Sequence, residues 1–332
     1  MRNDLDPVEF SVVIPTFRRN RELAEAIASV QRQQGVTLEI LVVDDCPNGG
    51  ARTVVDELND PRVTYLRNPK PTGGVPSVVR NLAWPHAIGR FVHFLDDDDM
   101  VPDGHYAAVA ATFADHPEAG LVFGRVEPFG AGPESQLQHE RQFFARASRS
   151  AMLCARFGRK RAFAGQMLFD MPLLVCGAAV VRRECVPGVD GFDPNIRLME
   201  DADFNARVMR KYGACFVDRA ALHYRIGYPS LMHSPNPPPA QHEMQCEGRR
   251  RMRAKYRQEH GAVDFYTLAL FTRAIRIAKY LTGFVTVDTR INGDARSLSH
   301  AGMNSRRPQG SIPDASRATR RTPDGTVPAN AR

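Results

Sequence analysis

Residues 91–99, FVHFLDDDD, decide the fold, because a short apolar run with a single histidine leads directly into four aspartates. An apolar run of this length is typical of a strand that is buried on both faces of a parallel sheet. Two similar runs precede it: FSVVI at 10–14, which ends at Pro15, and LEILVV at 38–43, which ends in two aspartates. Three strands that end in a turn or in carboxylates predict one polar edge of a sheet.

Helical periods lie between these runs. Within 22–34 the apolar residues Leu23, Ile27 and Val30 recur at helical spacing. The same reasoning predicts helices over 22–34, 52–58, 77–88 and 102–116, and strands over 63–66 and 121–126. This alternation predicts an α/β fold with a mostly parallel sheet that has helices on both faces. Because ligands bind outside the carboxyl ends of the strands in such sheets, residues 15–19 and the acidic strand ends are expected to form one crevice.

The pattern after residue 126 is less regular. Residues 130–170 predict an irregular, basic insertion, followed by a strand over 175–181, a helix over 199–211 and a short strand over 215–217. The proline-rich stretch 235–239 predicts the end of the α/β domain, because prolines lack backbone donors and restrict their neighbours. We expect an α/β domain over 8–235, a helical extension over 240–285 with helices near 242–260 and 263–284, and a tail over 286–332.

The charge of the chain is unevenly distributed. The net charge is +7, and residues 286–332 carry eight arginines, four aspartates and no aromatic residue, a composition that predicts a disordered basic tail. Nucleic-acid binding is disfavoured, because the tail has no interleaved aromatics and the chain has no helix-turn-helix or zinc signature. The six cysteines include no CxxC pair, which disfavours a zinc site and a disulfide framework. The N-terminal MRNDLDPVEF lacks the pattern of a signal peptide, so a cytoplasmic protein is expected.

The four carboxylates at 96–99 repel one another unless a cation or hydrogen-bond donors compensate them. A hard divalent ion, Mg²⁺ or Mn²⁺, is one natural partner and would also bind phosphate oxygens of a substrate. A solvated acidic turn is the alternative, since aspartate is common at strand ends and helix N-caps. Asp45, at the end of the neighbouring strand, is open to a functional and a structural interpretation in the same way.

In their order along the chain these motifs resemble those of the family 2 glycosyltransferases, over about residues 10–235. The resemblance is carried by SVVIPTFRRN at 11–20, LVVDD at 41–45, GGVPSVVRNLA at 73–83, GRFVHFLDDDDMVP at 89–102 and GFDPNIRLMEDADFNARV at 191–208. It implies a GT-A-type, Rossmann-like fold and an enzyme that uses a nucleotide sugar. It also implies that Pro15, Thr16 and Phe17 border the nucleobase, that Asp45 accepts a hydrogen bond from it, and that Arg80 helps to anchor this region.

The acidic motif of the family has the form FLDxDD, which implies that Asp96 and Asp97 lie near the ribose and that Asp98 is the principal metal ligand. Downstream, HYRIGYPSLMHS at 223–234 is similar to a closing segment in which basic or histidine side chains approach the diphosphate. This similarity makes Arg225 and His233 candidates, with His233 as a metal or phosphate contact. The alternative is that this histidine, one of ten in the chain, has no ligand role.

The pair Glu200 and Asp201 lies at the start of a predicted helix. Acidic residues near a helix N-terminus interact favourably with the helix dipole, which is a sufficient structural explanation for the pair. The resemblance implies instead that Asp201 is the general base, which removes the proton of an acceptor hydroxyl as that hydroxyl attacks the anomeric carbon.

These expectations describe a transferase that moves a sugar from a nucleotide sugar, UDP-linked by resemblance, to a hydroxyl acceptor with inversion and with Mn²⁺ or Mg²⁺. A saccharide or lipid-linked acceptor in cell-envelope polysaccharide or glycolipid synthesis is implied. A non-catalytic scaffold that binds nucleotide sugars is one alternative. A nucleotidyltransferase is another, although that class typically has a glycine-rich phosphate loop where this chain has IPTFRRN.

Two further segments are open to a structural and a functional interpretation. The basic residues of the insertion form a solvated surface, or they attract a phosphorylated acceptor such as a lipid-linked diphosphate sugar. The segment 263–284 packs on the catalytic domain, or it binds peripherally to an anionic inner membrane surface. The residues concerned are Arg141, Arg146, Arg149, Arg156, Arg159, Lys160 and Arg161 in the insertion, and Phe265, Leu268, Phe271, Arg273, Ile275, Arg276, Lys279 and Leu281 in the segment.

Overall fold

The computed structural model describes residues 7–227 and 239–281 of the 332-residue chain. The strands are β1 (Phe10–Thr16), β2 (Leu38–Asp44), β3 (Val63–Arg67), β4 (Phe91–Phe94), β5 (Leu121–Gly130), β6 (Ala179–Arg182) and β7 (Ala214–Ile226). The α-helices are α1 (Asn20–Gln31), α2 (Ala51–Leu58), α3 (Pro76–Ala83), α4 (His105–Asp115), α5 (Glu134–Cys154), α6 (Arg159–Phe169), α7 (Glu200–Tyr212) and α8 (Pro239–Leu281).

The seven strands form one sheet in the order β3-β2-β1-β4-β6-β5-β7. The first four strands in this order pair in parallel, β6 is antiparallel to both of its neighbours, and β5 pairs in parallel with β7. The predicted α/β fold with a mostly parallel sheet is therefore confirmed. Because β2 and β3 extend from one side of β1 and β4 lies on the other, the carboxyl ends of β1 and β4 flank a topological switch point, where α/β sheets open a crevice.

Aromatic side chains pack around the first residues of β1 and β4. The Phe91 ring stacks on Phe113 at 4.4 Å and lies 5.2 Å from Phe10. His93, the one polar residue of the apolar run, is buried between the Tyr106 hydroxyl and the Gly177 carbonyl, each 2.8 Å away. Burial lowers its pKa to about 4, so His93 is a neutral core residue at neutral pH.

Residues 130–170 were expected to be irregular, and that prediction is wrong, because α5 and α6 occupy most of this stretch. The buried positions of α5 follow three- and four-residue spacing. They are Leu137, Glu140, Phe144, Ala147, Ser148, Ser150, Ala151 and Cys154. Most of them are small or polar, so the helical period is weak in the sequence.

Two strands also differ from their predicted bounds. The strand expected over 175–181 begins only at Ala179, after a 3-10 turn over Cys176–Ala178. The strand expected over 215–217 extends over thirteen residues as β7. Since β7 lies at the edge of the sheet, Asp218 and Arg219 remain solvated, and no continuous apolar run marks the strand.

Helix α8 consists of two helical parts that meet at Gly261, where φ is 80°. This break agrees with the two helices predicted near 242–260 and 263–284. Leu268, Ile275 and Lys279 are buried, and Lys279 donates hydrogen bonds to Gln166 and Asp170. Packing on the α/β domain is thus confirmed for these three residues, and a membrane contact by them is excluded. No helix in the described residues combines the length and apolar character needed to cross a bilayer. The predicted tail, 286–332, lies outside the described residues.

Candidate active site

A cavity of about 840 Å³ opens at the switch point between β1 and β4. It brings together ten of the residues predicted from the sequence: Pro15, Thr16, Phe17, Asp45, Arg80, Asp96, Asp97, Asp98, Asp201 and Arg225. They come from the ends of β1, β2, β4 and β7, from α3 and from the start of α7. His233, the remaining candidate, lies outside the described residues.

Asp97 joins the end of β4 to the loop after β1. Its Oδ2 accepts hydrogen bonds from the Thr16 hydroxyl at 2.7 Å and the Phe17 backbone N–H at 3.3 Å. Its Oδ1 accepts from Arg19 Nη1 at 3.0 Å. Three of about four acceptor positions of this carboxylate are therefore used within the protein. The contact of Asp97 with a ribose stays a prediction.

Asp98 shares the Arg19 guanidinium with Asp97. Arg19 Nη1 lies 2.6 Å from Asp98 Oδ2. Arg19 belongs to the stretch 15–19 that was expected in the crevice, but no role had been predicted for it. Burial raises the pKa of Asp98 to about 7; Arg19 opposes the rise, and the charges of Asp97 and Asp96 add to it. The described residues therefore do not fully neutralise the negative charge of this carboxylate.

Asp99, the last of the four aspartates, is buried beneath the cavity. Its Oδ1 accepts a hydrogen bond from the Arg225 backbone N–H at 2.8 Å, whereas its Oδ2 has no hydrogen-bond partner in the described part of the chain. Burial and the charges of Asp98 and Asp96 hold its pKa well above the ordinary value.

The lining of the cavity is acidic. Its described residues include seven carboxylic side chains, of Asp45, Asp96, Asp97, Asp98, Glu140, Glu200 and Asp201, against the three guanidinium groups of Arg19, Arg80 and Arg225. Within the described residues no three His, Cys, Asp or Glu side chains are grouped as a complete metal site. The excess of carboxylates and the raised pKa of Asp98 fit a divalent cation that takes its other ligands from a bound diphosphate.

Asp45 holds the loop of residues 68–74. Its two oxygens accept four hydrogen bonds: from Asn68 Nδ2 at 2.6 Å, the Thr72 backbone N–H at 2.9 Å, the Thr72 hydroxyl at 2.8 Å and the Gly74 N–H at 2.6 Å. Burial favours a higher pKa for Asp45, but these bonds outweigh it and the pKa lies below its usual value. The acceptor positions are filled, so a hydrogen bond from a nucleobase requires one loop bond to open. That contact stays a prediction.

Arg80 connects the acidic end of β4 with the start of α7. Its guanidinium donates to Asp96 Oδ1 at 2.6 Å and to Glu200 Oε1 at 2.8 Å, and it lies 5.2 Å from the centre of the Phe192 ring. The side chain is 2% exposed. This buried cation therefore fixes the distance between the four aspartates and the Glu200–Asp201 pair.

Asp201 and Glu200 have different surroundings. Asp201 accepts hydrogen bonds from the backbone N–H groups of Ala202, at 2.7 Å, and Cys176, at 3.1 Å, and it is only partly buried. Burial raises the pKa of Asp201, against the opposing charge of Arg80. Burial and the neighbouring Asp201 raise the pKa of Glu200 to about 7. Asp201 therefore lines the cavity with no cation bonded to it among residues 7–227 and 239–281, whereas Glu200 is paired with Arg80.

Arg225 is held by groups of the protein. Its Nε donates to the Asp98 carbonyl and its Nη2 to Glu25, each at 2.6 Å, and its guanidinium lies 4.7 Å from the centre of the Phe129 ring. It lines the cavity, but a contact with a diphosphate stays a prediction.

One wall of the cavity was missed at the sequence level, because it belongs to α5. His139, Glu140, Phe143 and Phe144 line it, and Phe144 lies 5.6 Å from the Tyr224 ring. Helical spacing of 140 and 144 was the available signal. Of the basic side chains of the predicted insertion that the structure describes, none lines the cavity.

The fold and the acidic site agree with the family that the sequence matches. Residues 11–186, more than half of the 332-residue chain, match the model described as Glycosyl transferase family 2. The chain therefore belongs to glycosyl transferase family 2, as its motifs predicted. The fold is similar to that of the crystal structure of Staphylococcus aureus TarS 1–349 in complex with UDP, with a TM-score of 0.54, 18% identity and coverage of 86% of this chain and 78% of that one.

Curated relatives match over shorter stretches. The chain is 40% identical over 98 residues to the GalNAc(5)-diNAcBac-PP-undecaprenol beta-1,3-glucosyltransferase of Campylobacter jejuni, which covers 29% of this chain and 31% of that protein. It is 33% identical over 96 residues to the UDP-Glc:alpha-D-GlcNAc-diphosphoundecaprenol beta-1,3-glucosyltransferase WfgD of Escherichia coli. That match covers 29% of this chain and 37% of that protein. The matches span about a third of the length of these relatives.

Proposed function

We propose that this chain is a glycosyltransferase that moves a sugar from a UDP-sugar to a hydroxyl acceptor with inversion, with Asp201 as general base and Mn²⁺ or Mg²⁺ held by Asp98. The observation that carries the proposal is the single cavity in which the acidic end of β4 and the start of α7 meet. Transfer needs the departing diphosphate to be stabilised and the attacking hydroxyl to be deprotonated at one place, and this lining offers a carboxylate for each task, Asp98 to hold a cation and Asp201 as base.

The donor is proposed to lie along the β1–β4 side of the cavity. Phe17 offers a ring for a nucleobase, and Gly74 lies next to that ring, where an added Cβ would make an ordinary contact at 3.5 Å. Asp98 would hold the cation together with diphosphate oxygens. When bound, the cation neutralises the charge that develops on the leaving diphosphate. Arg80 bonds both Asp96 and Glu200, so it fixes the position of this side of the site relative to α7.

Asp201 acts on the acceptor. Its ionised carboxylate takes the hydroxyl proton while the acceptor oxygen forms a bond to the anomeric carbon, and the bond from that carbon to the diphosphate oxygen breaks. The nucleoside diphosphate leaves with the electron pair. The two backbone N–H groups that donate to Asp201 orient its carboxylate, and its raised pKa makes it a stronger base than an exposed aspartate.

The acceptor is proposed to be a lipid-linked saccharide of cell-envelope polysaccharide or glycolipid synthesis. Both relatives described above carry diphosphoundecaprenol-linked acceptors in their names. The α5 wall supports the proposal, since Phe143 and Phe144 offer apolar and aromatic surface in the cavity that Asp201 also lines. A cytoplasmic location at the inner face of the membrane follows from such an acceptor and is part of the proposal.

A panel of nucleotide sugars with Mn²⁺, Mg²⁺ or EDTA tests the donor. Thermal shift should show stabilisation by one donor class only when a divalent metal is present. Release of free nucleoside diphosphate in the presence of an acceptor then separates an enzyme from a scaffold, which would bind the donor without turnover. Stabilisation by nucleoside triphosphates with release of pyrophosphate would instead identify a nucleotidyltransferase and contradict the proposal.

A further inference from the structure

The second part of α8, residues 262–281, has two unlike faces. Its packed face includes Leu268, Thr272, Ile275 and Lys279, all buried. Its other face carries large apolar or aromatic side chains that are 51% to 80% exposed: Val263, Tyr266, Leu270, Ile277, Tyr280 and Leu281. We call these six residues the outer stripe. Such a continuous apolar face is typical of a surface that contacts a partner.

The outer stripe is one continuous surface of the helix. At about 100° per residue its six members fall within an arc of about 100°, with the buried residues on the opposite side. Arg273 falls within the same arc and Arg276 lies beside it, and both are exposed. The guanidinium of Arg257 lies 5.7 Å from the centre of the Tyr266 ring. The stripe is thus mostly apolar, with Arg273 inside it and with Arg257 and Arg276 beside it.

No exposed carboxylate balances these cations on this part of the helix. Residues 262–281 contain one acidic residue, Asp264. It is paired with Arg161 at 2.7 Å and Arg210 at 3.3 Å and accepts a hydrogen bond from the Tyr256 hydroxyl at 2.5 Å. Asp264 is therefore engaged on the packed side, and the outward charge of the helix is positive.

We propose that the outer stripe binds peripherally to an anionic lipid surface. Leu270 and Ile277 would insert shallowly, Tyr266 and Tyr280 would lie at the level of the headgroups, and Arg273 would approach lipid phosphates. The inference rests on the proposed function and deepens it, because it holds the enzyme at the surface that carries a lipid-linked acceptor, but it depends on different residues.

A second copy of the chain fits this surface less well. A two-fold symmetric contact along the stripe places the same residues of both copies together. Arg273 and Arg276 would then face one another or apolar side chains, and this part of the helix has no free carboxylate to pair with them. Lipid phosphates supply the missing negative charge.

Co-sedimentation of the full chain with vesicles tests the proposal. We expect binding to vesicles of phosphatidylglycerol and phosphatidylcholine at low salt, weaker binding at high salt because the charges are screened, and little binding to phosphatidylcholine alone. The double variant Leu270→Ser/Ile277→Ser should bind at least about tenfold more weakly, because it removes the inserting apolar surface. The variant Arg273→Gln/Arg276→Gln should lose the preference for the anionic lipid.

Ile88→Ser is the matched control. Ile88 is 63% exposed and lies outside α8, so its substitution removes apolar surface of the same kind and should leave vesicle binding unchanged. Circular dichroism and melting temperature check that each variant is folded. Failure of the wild-type chain to sediment overturns the proposal, and so does binding that the stripe variants do not weaken. Dimerisation that is lost in the double variant, without vesicle binding, assigns the stripe to a second copy. Metal-dependent UDP binding and release of nucleoside diphosphate, measured separately, test the proposed function, so either proposal can fail while the other holds.

Discussion

Asp201 and Glu200 are neighbours in the chain with different partners, so substitution can separate their roles. Asp201→Asn keeps the size of the side chain and an oxygen that can accept a backbone hydrogen bond, but it removes the proton acceptor. We expect sugar transfer to fall by roughly 10²- to 10⁴-fold, the usual cost of losing a general base, with UDP affinity nearly unchanged. Initial rates of transfer and UDP titration of the same preparation measure the two effects.

Glu200→Gln is the control for this substitution. Glutamine can still accept the hydrogen bond from Arg80, and Arg80 keeps its partner Asp96, so transfer should decrease much less than in Asp201→Asn. If the two variants exchange phenotypes, Glu200 is the base. Near-normal turnover in both variants contradicts the base mechanism, and a lower melting temperature with weaker UDP binding in Asp201→Asn indicates a structural role.

The pH dependence of transfer follows from the same pair. Burial raises the pKa of Asp201 above 3.8, and the base must be ionised, so the rate should fall as the pH decreases through that raised value. The charge of Asp96 adds to this rise, so the acid limb of kcat/KM should move to lower pH in Asp96→Asn. Burial and the ionised Asp201 raise the pKa of Glu200 to about 7, so Glu200 is already neutral where Asp201 titrates, and the limb should stay in place in Glu200→Gln. A limb that moves in Glu200→Gln but not in Asp96→Asn would contradict this assignment.

Asp98 is expected to make nucleotide binding depend on a metal. With Asp98→Ala, UDP should bind about 10- to 100-fold more weakly in Mn²⁺, the range found when the surroundings of a metal are disturbed, and EDTA should have little further effect. Asp103→Ala, which changes a carboxylate with 84% side-chain exposure outside the cavity lining, should behave as wild type. Equal UDP affinity of the wild-type chain in Mn²⁺ and in EDTA would contradict the metal site.

At the level of single elements, the sequence was informative wherever a strand was buried on both faces. The apolar runs before Asp44 and Asp96 marked both the strands and their carboxyl ends, so the shared acidic edge could be predicted. The same method missed α5, whose buried face uses Ala147, Ala151 and Cys154 in place of large apolar residues. It also missed the length of β7, because an edge strand needs no apolar run.

The partners of the buried charges could not be predicted from local pattern. Arg80 bonds Glu200, 120 positions away in the chain, and Asp97 bonds Thr16, 81 positions away. Such pairs depend on the order of strands in the sheet and on the antiparallel placement of β6. Motif resemblance located these residues in one site, but only the tertiary structure shows which carboxylate each arginine holds.

Helices α6 and α8 pack closely at Gly165, which suggests a test of how α8 is attached. A methyl group at Gly165 would overlap the Thr272 hydroxyl and lie 3.1 Å from Leu268 Cδ1. Gly165→Val should lower the free energy of unfolding by about 1–3 kcal/mol, the usual cost of overpacking, as measured by urea titration. Ala274→Val, at an exposed position of α8, should cost only about 0.5 kcal/mol or less through helix propensity. Equal effects of the two substitutions would contradict the close packing.

For the molecule as a whole, the net charge of +7 does not describe the site. The cavity is lined by seven carboxylic side chains and three arginines among the described residues, whereas residues 286–332 carry eight arginines against four aspartates. The excess of carboxylates in the cavity of a basic chain supports the proposed cation, because a diphosphate would otherwise face negative charge there.

The segment 290–332 is expected to contribute little to folding or to transfer. It has no aromatic residue and is rich in Arg, Pro, Gly, Ser and Thr, so it offers little apolar surface to bury against the domain. A chain that ends at residue 289 should keep its free energy of unfolding within about 0.5 kcal/mol of the full chain, the range of neutral surface changes. Turnover with a water-soluble acceptor should also be unchanged. Since the deletion removes eight arginines and three aspartates, a change confined to vesicle binding would assign the segment an electrostatic role at the membrane. A large fall in melting temperature or in turnover with the soluble acceptor would show that the segment packs on the domain, contrary to what its composition predicts.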